Sequence, residues 1–153
     1  MSMPRLVIVT ALLAWAAPAT AADRVPPVTN PVVLKECGAC HMAFPPAFLP
    51  ARSWSRLVYG MSDHFGEDAN LPAETIEIIG AYLTANAGDV APSAAARKYV
   101  RWFAPSGTPL RLTENPAFLH KHRFPRRVWE DPKVVTRSNC LACHADAASG
   151  RFE

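Results

Sequence analysis

The chain has 153 residues, is half apolar, and carries a formal net charge of only +3. That length allows one ordinary domain or two very small ones, and so modest a positive excess argues against a nucleic-acid-binding protein. Thirteen prolines beyond residue 22, with few runs alternating polar and apolar, argue against an extensive sheet. They predict a mainly α protein of short helices joined by fixed loops.

Residues 1–22 have the pattern of an export signal. Arg5 is the one charged side chain, Leu6 to Ala17 is apolar, and Ala19-Thr20-Ala21 supplies small residues for cleavage after Ala21 or Ala22. Its apolar core of twelve residues falls short of the about 20 needed to span a bilayer. No later segment is apolar enough either, so the mature chain is expected as a soluble protein of the periplasm.

Asp23 to Pro31 is expected as an extended, proline-rich arm. Val32 to Met42 is expected as a helix carrying Cys37-Gly38-Ala39-Cys40-His41, which Pro45, Pro46 and Pro50 then stop. Ser53 to Phe65 repeats apolar residues every three or four positions through Trp54, Leu57, Val58 and Met61. Pro72 to Asn86 is the clearest helix, with Pro72 and Glu74 at its start and Ile76, Ile79, Tyr82 and Leu83 on one stripe. Gly80 inside it costs roughly 1 kcal/mol relative to alanine, which suggests close approach of another helix, such as the one bearing Cys37. Gly88 to Pro92 is the expected boundary between a domain of residues 23–90 and a second of residues 91–153.

Beyond it, Ser93 to Phe103 is expected to be helical, Pro105 to Pro109 a turn, Asn115 to Phe124 a short helix and Pro125 to Thr136 a loop. Cys140-Leu141-Ala142-Cys143-His144 then lies nine residues from the end, on a short helix ending before Gly150. Charge divides unevenly. Residues 23–90 hold four Lys/Arg against eight Asp/Glu, and residues 91–153 hold eleven against five, giving −4 and +6. Such a dipole would orient the molecule toward different partners at its two ends.

The two Cys-x-x-Cys-His segments use all four cysteines. The spacing suits covalent attachment of c-type haem, in which each cysteine pair forms two thioethers and the histidine ligates iron. A zinc ribbon would bring its second knuckle about 15–20 residues after the first, whereas Cys40 and Cys140 are 100 positions apart. A thioredoxin-like motif needs a βαβ setting, and structural disulfides need no following histidine. Two haem c groups are therefore expected, anchored by Cys37, Cys40, Cys140 and Cys143, with His41 and His144 as proximal ligands.

His64, His120 and His122 remain for two distal positions. Met61 competes with His64 and lies three residues away on a neighbouring part of the same face; His64 is preferred, with Met61 packing against the ring. His120 and His122 would point about 200° apart on a helix, so only one reaches the iron, and spacing alone does not choose between them. Asp63 and Glu67 are candidates for capping a helix or orienting Arg52.

Further runs carry a family resemblance. They are Glu36 through Ala43, Leu49-Pro50-Ala51-Arg52-Ser53-Trp54, Asp63-His64-Phe65-Gly66-Glu67 and Ile79-Gly80-Ala81-Tyr82-Leu83. In the second half they are Phe118 through Arg123, Asn139 through His144, and Gly150-Arg151-Phe152. On these the chain resembles the dihaem cytochrome c family, small exported cytochromes with one haem per domain. The resemblance implies bis-histidine ligation, with His64 distal at the first haem and His122 at the second. It implies a class I cytochrome c fold for the first domain, and a small, mostly irregular second domain with short helices. It also implies an electron-transfer protein rather than an enzyme. The acceptor would be an SHP-type oxygen-binding monohaem cytochrome and the donor a membrane b-type cytochrome. The alternatives are a peroxidase or gas sensor with a displaceable distal ligand, and the dihaem subunit of a periplasmic reductase.

Overall fold

The computed structural model describes residues 24–91 and 93–152; the expected export signal, residues 1–22, lies outside them. Among the described residues there are six α-helices and no strand beyond two isolated bridges, which is the mainly α architecture expected.

Capping chemistry sets the first helix. Asn30 accepts from the N–H groups of Val32 and Val33 at 2.9 and 3.2 Å, and Pro31 opens α1 (Pro31–Cys37). The helix stops at Gly38 rather than running on to Met42. Gly38 N–H closes the last turn onto the Leu34 carbonyl, and a Cβ there would lie 2.1 Å from that oxygen. Cys37 thus ends the helix while Cys40 and His41 sit on the turn that follows.

α2 (Ala51–Val58) follows Pro50, and it too is shorter than the periodicity suggested. Tyr59 N–H closes it with a last α-helical bond to the Ser55 carbonyl, Gly60 N–H follows with a tighter-turn bond to Leu57, and a separate 3-10 turn spans Met61–Asp63. His64 is therefore presented from a turn. α3 (Ala73–Ala85) begins behind Pro72 as expected and packs along α2, burying Ile79, Gly80 and Leu83. Gly80 faces the end of α2 rather than the Cys37 helix: an added Cβ would lie 3.5 Å from the Tyr59 hydroxyl and 3.6 Å from Val58. The core of this region joins Val28, Val33, Leu49, Trp54, Val58, Ile79 and Leu83, with the Trp54 indole N–H donating to the Pro46 carbonyl at 2.8 Å.

Ser93 caps α4 (Ala94–Val100) by accepting from Ala96 N–H at 2.9 Å. Asn115 caps α5 (Pro116–Lys121) and is almost wholly buried, a position it can hold because both ends of its amide are used. It accepts from Ala117 N–H at 2.7 Å and donates to the Tyr99 carbonyl at 3.1 Å, so α5 is tied to α4. A four-residue helix, α6 (Arg126–Trp129), lies where only a loop was expected, steadied by an Arg126–Glu130 ion pair one turn apart. The second haem motif follows on a 3-10 turn at Cys140–Ala142, and a further turn at Ala147–Ser149 ends on left-handed Gly150 (φ 75°).

A second buried cluster draws on both sides of residues 88–92. Val25, Ala47 and Phe48 meet Ala91 and Ala96, with Tyr99, Leu112 and Phe152 packed around them. The opening arm is extended as expected and clasps the far end of the chain: Val25 N–H donates to the Gly150 carbonyl at 3.0 Å and Arg24 bridges to Arg151. Arg52 fastens the connection. It pairs with Asp89 at 3.6 Å and donates to the carbonyls of Ala104, at 3.2 Å, and Gly107.

Candidate haem-binding sites

The turn after α1 brings His41 over Phe44, with ring centres 4.9 Å apart and planes 20° apart. The His41 Nδ1–H donates to the Met42 carbonyl at 2.8 Å, which fixes the tautomer and leaves the other ring nitrogen its lone pair. Across from it stands His64, its ring centre 6.1 Å away and nearly parallel at 19°.

His64 is held by a tight turn. Its N–H donates to the Glu67 carbonyl at 2.8 Å, the Glu67 N–H returns to the His64 carbonyl at 3.3 Å, and Asp63 accepts from Gly66 N–H at 2.9 Å. Asp63 thus braces this turn, and Arg52 is engaged elsewhere, with Asp89. Phe65 and Gly66 both have positive φ, 60° and 100°, as a type I′ turn requires. For phenylalanine that region costs about 1–2 kcal/mol. The Phe65 ring lies 4.9 Å from His64, and the Arg111 guanidinium sits 4.0 Å above it.

The second site is built from α5 and the last turns. His122 terminates α5, its Nδ1–H donating to the Phe118 carbonyl at 2.9 Å and its ring stacked on Phe118 at 4.0 Å. Trp129 of α6 flanks it at 6.2 Å. His144 faces it with ring centres again 6.1 Å apart, but with the planes crossed at 75°. Phe152 backs His144 at 5.6 Å. Between them lies a cleft of about 400 Å³ lined by Tyr99, Phe124, Cys143 and Phe152 as well as the two histidines. The structure thus brings His122 to His144. His120 points elsewhere, exposed and stacked with Trp102 at 6.2 Å.

Both pairs fit a shared iron. An imidazole nitrogen lies about 2.0 Å from a first-row metal and about 1.1 Å from its own ring centre, so two rings binding one metal end-on have centres about 6.2 Å apart. Both observed spacings, 6.1 Å, meet that requirement. His64 Nδ1 is buried with no hydrogen-bond partner, leaving it short of the partner a buried polar atom needs.

Burial lowers the His64 pKa, and electrostatic repulsion from its neighbours His41 and Arg111 lowers it further. Burial also lowers that of His122, opposed by its bond to the Phe118 carbonyl. Both shifts favour the neutral ring, the form that binds metal. The four cysteines form no disulfide. Burial pushes the Cys37 thiol up and that of Cys140 up to about 11, so each site presents an uncharged sulfur to its apolar wall.

Motif spacing located the cysteines and histidines, but it gave no sign of Phe48, Trp129, Phe152 or Arg111. Phe48 and Arg111 reach their sites from distant parts of the chain, while Trp129 and Phe152 lie within eight residues of His122 and His144 but outside the motif spacing.

Paired histidines beside two haem-attachment motifs, on a helical frame with little other regular structure, define a c-type cytochrome with two haems. A family model for dihaem cytochrome c matches residues 33–152, and the chain belongs to that family. It is similar to solved structures of diheme cytochrome c from Rhodobacter sphaeroides. One is 44% identical and covers 84% of this chain and 100% of its own, with a TM-score of 0.74. Another, of DHC purified from the same organism, is 45% identical and covers 82% and 98%, with a TM-score of 0.66. The diheme cytochrome sb-DHC from Shewanella baltica OS155 is 32% identical over 81% of this chain and 87% of its own, with a TM-score of 0.65. Comparison with curated proteins found no match. Membership carries two covalently bound haem c groups and electron transfer through them.

Proposed function

We propose that the mature chain is a periplasmic electron carrier whose haems are each held six-coordinate, without an open position for a substrate. His41 and His64 ligate the first, attached through Cys37 and Cys40 in residues 23–90. His144 and His122 ligate the second, attached through Cys140 and Cys143 in residues 91–153. When bound, haem c supplies one-electron oxidation and reduction, with a potential set by its axial ligands and surroundings. The chain's own contribution is to fix four imidazoles, hold their outward protons on carbonyls where these exist, and close both faces with Phe44, Phe65, Phe118 and Trp129.

The observation that carries this reading is the pairing of rings at 6.1 Å in both sites, the spacing expected of two imidazoles on one metal. Export rests on the signal pattern of residues 1–22, and no described helix is long and apolar enough to cross a membrane. Opposite charge on residues 23–90 and 91–153 supports two docking ends. The partners put forward are an SHP-type oxygen-binding monohaem cytochrome as acceptor and a membrane b-type cytochrome as donor.

Single replacement of His64, His120 and His122 by alanine tests the assignment. Optical and paramagnetic spectra should lose one low-spin haem in His64→Ala and in His122→Ala, and none in His120→Ala. Carbon monoxide and cyanide should leave the parent spectrum unchanged. Ligand binding by the parent, or a silent His122→Ala, would overturn the proposal.

A further inference from the structure

The second half of the chain reaches back over the first haem site, through the segment from Ala104 to Leu112. Arg52 and Asp89 pin its start: Asp89 accepts from Ala51 N–H at 2.8 Å and pairs with Arg52, which holds the carbonyls of Ala104 and Gly107. Its end is anchored by Leu112, which packs against both buried clusters. Between these anchors Arg111 comes to rest 4.0 Å over the Phe65 ring, the residue after His64.

That contact falls on the strained point of the His64 turn. Phe65 is in the left-handed region where bulky side chains are rarely found, and such strain persists only where the surroundings hold it. A guanidinium laid over an aromatic face is an attraction that does so. Arg111 is only loosely paired: among the described residues its ion-pair partner is Glu114, at 3.8 Å, while the Asp63 carboxylate next to His64 accepts from Gly66 N–H.

We infer that Arg111 is a positioning residue for the first haem: it clamps the Phe65–Gly66 turn that presents His64, and its charge raises that haem's potential. The inference rests on the ligation proposed above. The three ring and cation spacings put the guanidinium within about 12 Å of the midpoint between His41 and His64. Oxidised iron bears one more positive charge than reduced iron, so a fixed cation at that range disfavours the ferric form. With an effective dielectric between about 20 and about 80, the bias amounts to about twofold to tenfold in the ferric-to-ferrous ratio.

The test is a potentiometric titration of the purified dihaem protein and its variants, followed optically. His64→Met identifies the first haem's wave, because a methionine ligand raises the potential. Arg111→Gln should move that wave downward by about twofold to tenfold in ferric-to-ferrous ratio and leave the other wave in place. Arg111→Lys, which keeps charge without a planar stack, should recover most of the shift. Phe65→Leu, which keeps the arginine but removes its platform, should change the g values of the first haem alone. Unmoved waves in Arg111→Gln, or equal movement of both, overturns the inference. So does a Lys variant that shifts as far as Gln. A parent protein that is not low-spin at the first haem would instead sink the ligation proposal beneath it.

Discussion

Replacing Phe48 with alanine should weaken the whole molecule. Phe48 is 8% exposed and meets two rings edge-on, Tyr99 at 5.1 Å and 81° and Phe152 at 5.1 Å and 70°. It belongs to the first half by sequence, while both rings belong to the second. It also borders a small cavity with Phe118, His122 and Cys140, so its removal opens space beside the second site. Truncating a buried phenylalanine costs about 3–5 kcal/mol, a figure that includes the two aromatic contacts at about 0.5–1.5 kcal/mol each. Against a total stability of about 5–15 kcal/mol, that is a large share. For a chain of this size it lowers the melting temperature by about 10–15 °C. The measurement is thermal and guanidinium unfolding of the dihaem protein, followed in parallel by haem absorbance and tryptophan fluorescence. Both signals should shift together, and Phe48→Leu should retain more of the stability. A loss under about 1 kcal/mol would refute the reasoning. A shift in one signal with the other unmoved would also refute it, since the cluster would then not join the halves.

Trp54→Phe should cost about 1–2 kcal/mol, because it removes the indole N–H bond at 2.8 Å and leaves the buried Pro46 carbonyl only the longer bond from Leu49 N–H at 3.4 Å. A lowered denaturation midpoint at unchanged slope would register it, and an unaltered midpoint would contradict it. The ring angles predict two different ferric signals. With iron held between them as proposed, near-parallel imidazoles, 19° apart at the first site, would both overlap the same iron d orbital and separate it from its neighbour. Crossed rings at 75° treat the two orbitals almost alike, which leaves a larger anisotropy and a higher maximum g value at the second site. Paramagnetic resonance of the oxidised protein should therefore resolve two low-spin species in equal amount, and one shared signal would count against these angles.

The sequence made plain whatever depends on neighbours along the chain. Cys37 to His41 and Cys140 to His144 announce their chemistry by spacing, and α3 follows from Pro72, Glu74 and an unbroken apolar stripe. The stop at Gly38 is marked by a single glycine, while the apolar residues before it carry no sign of where the helix ends. α6 is one turn long, too short to leave a period, although Pro125 before it and the Arg126–Glu130 spacing were usable signs. Gly80 correctly marked a close approach, but which element approaches is a matter of tertiary packing. The choice between His120 and His122 shows the same limit. Two residues apart, they have nearly opposite directions, and only the fold says which direction faces His144. Arg52, Phe48 and Arg111 act across 37 to 104 positions of sequence, where local pattern carries no information.

Pro45, Pro46 and Pro50 are all fully buried, directly after the Phe44 that stacks on His41. Each has its φ locked by its own ring, so this stretch of backbone has little freedom to drift. With iron held at His41 as proposed, such a wall would have little freedom to swing its dipoles when the metal changed charge. That would keep nuclear rearrangement small, and a low reorganisation energy lets an electron hop quickly at modest driving force. Rigidity here serves speed as much as stability.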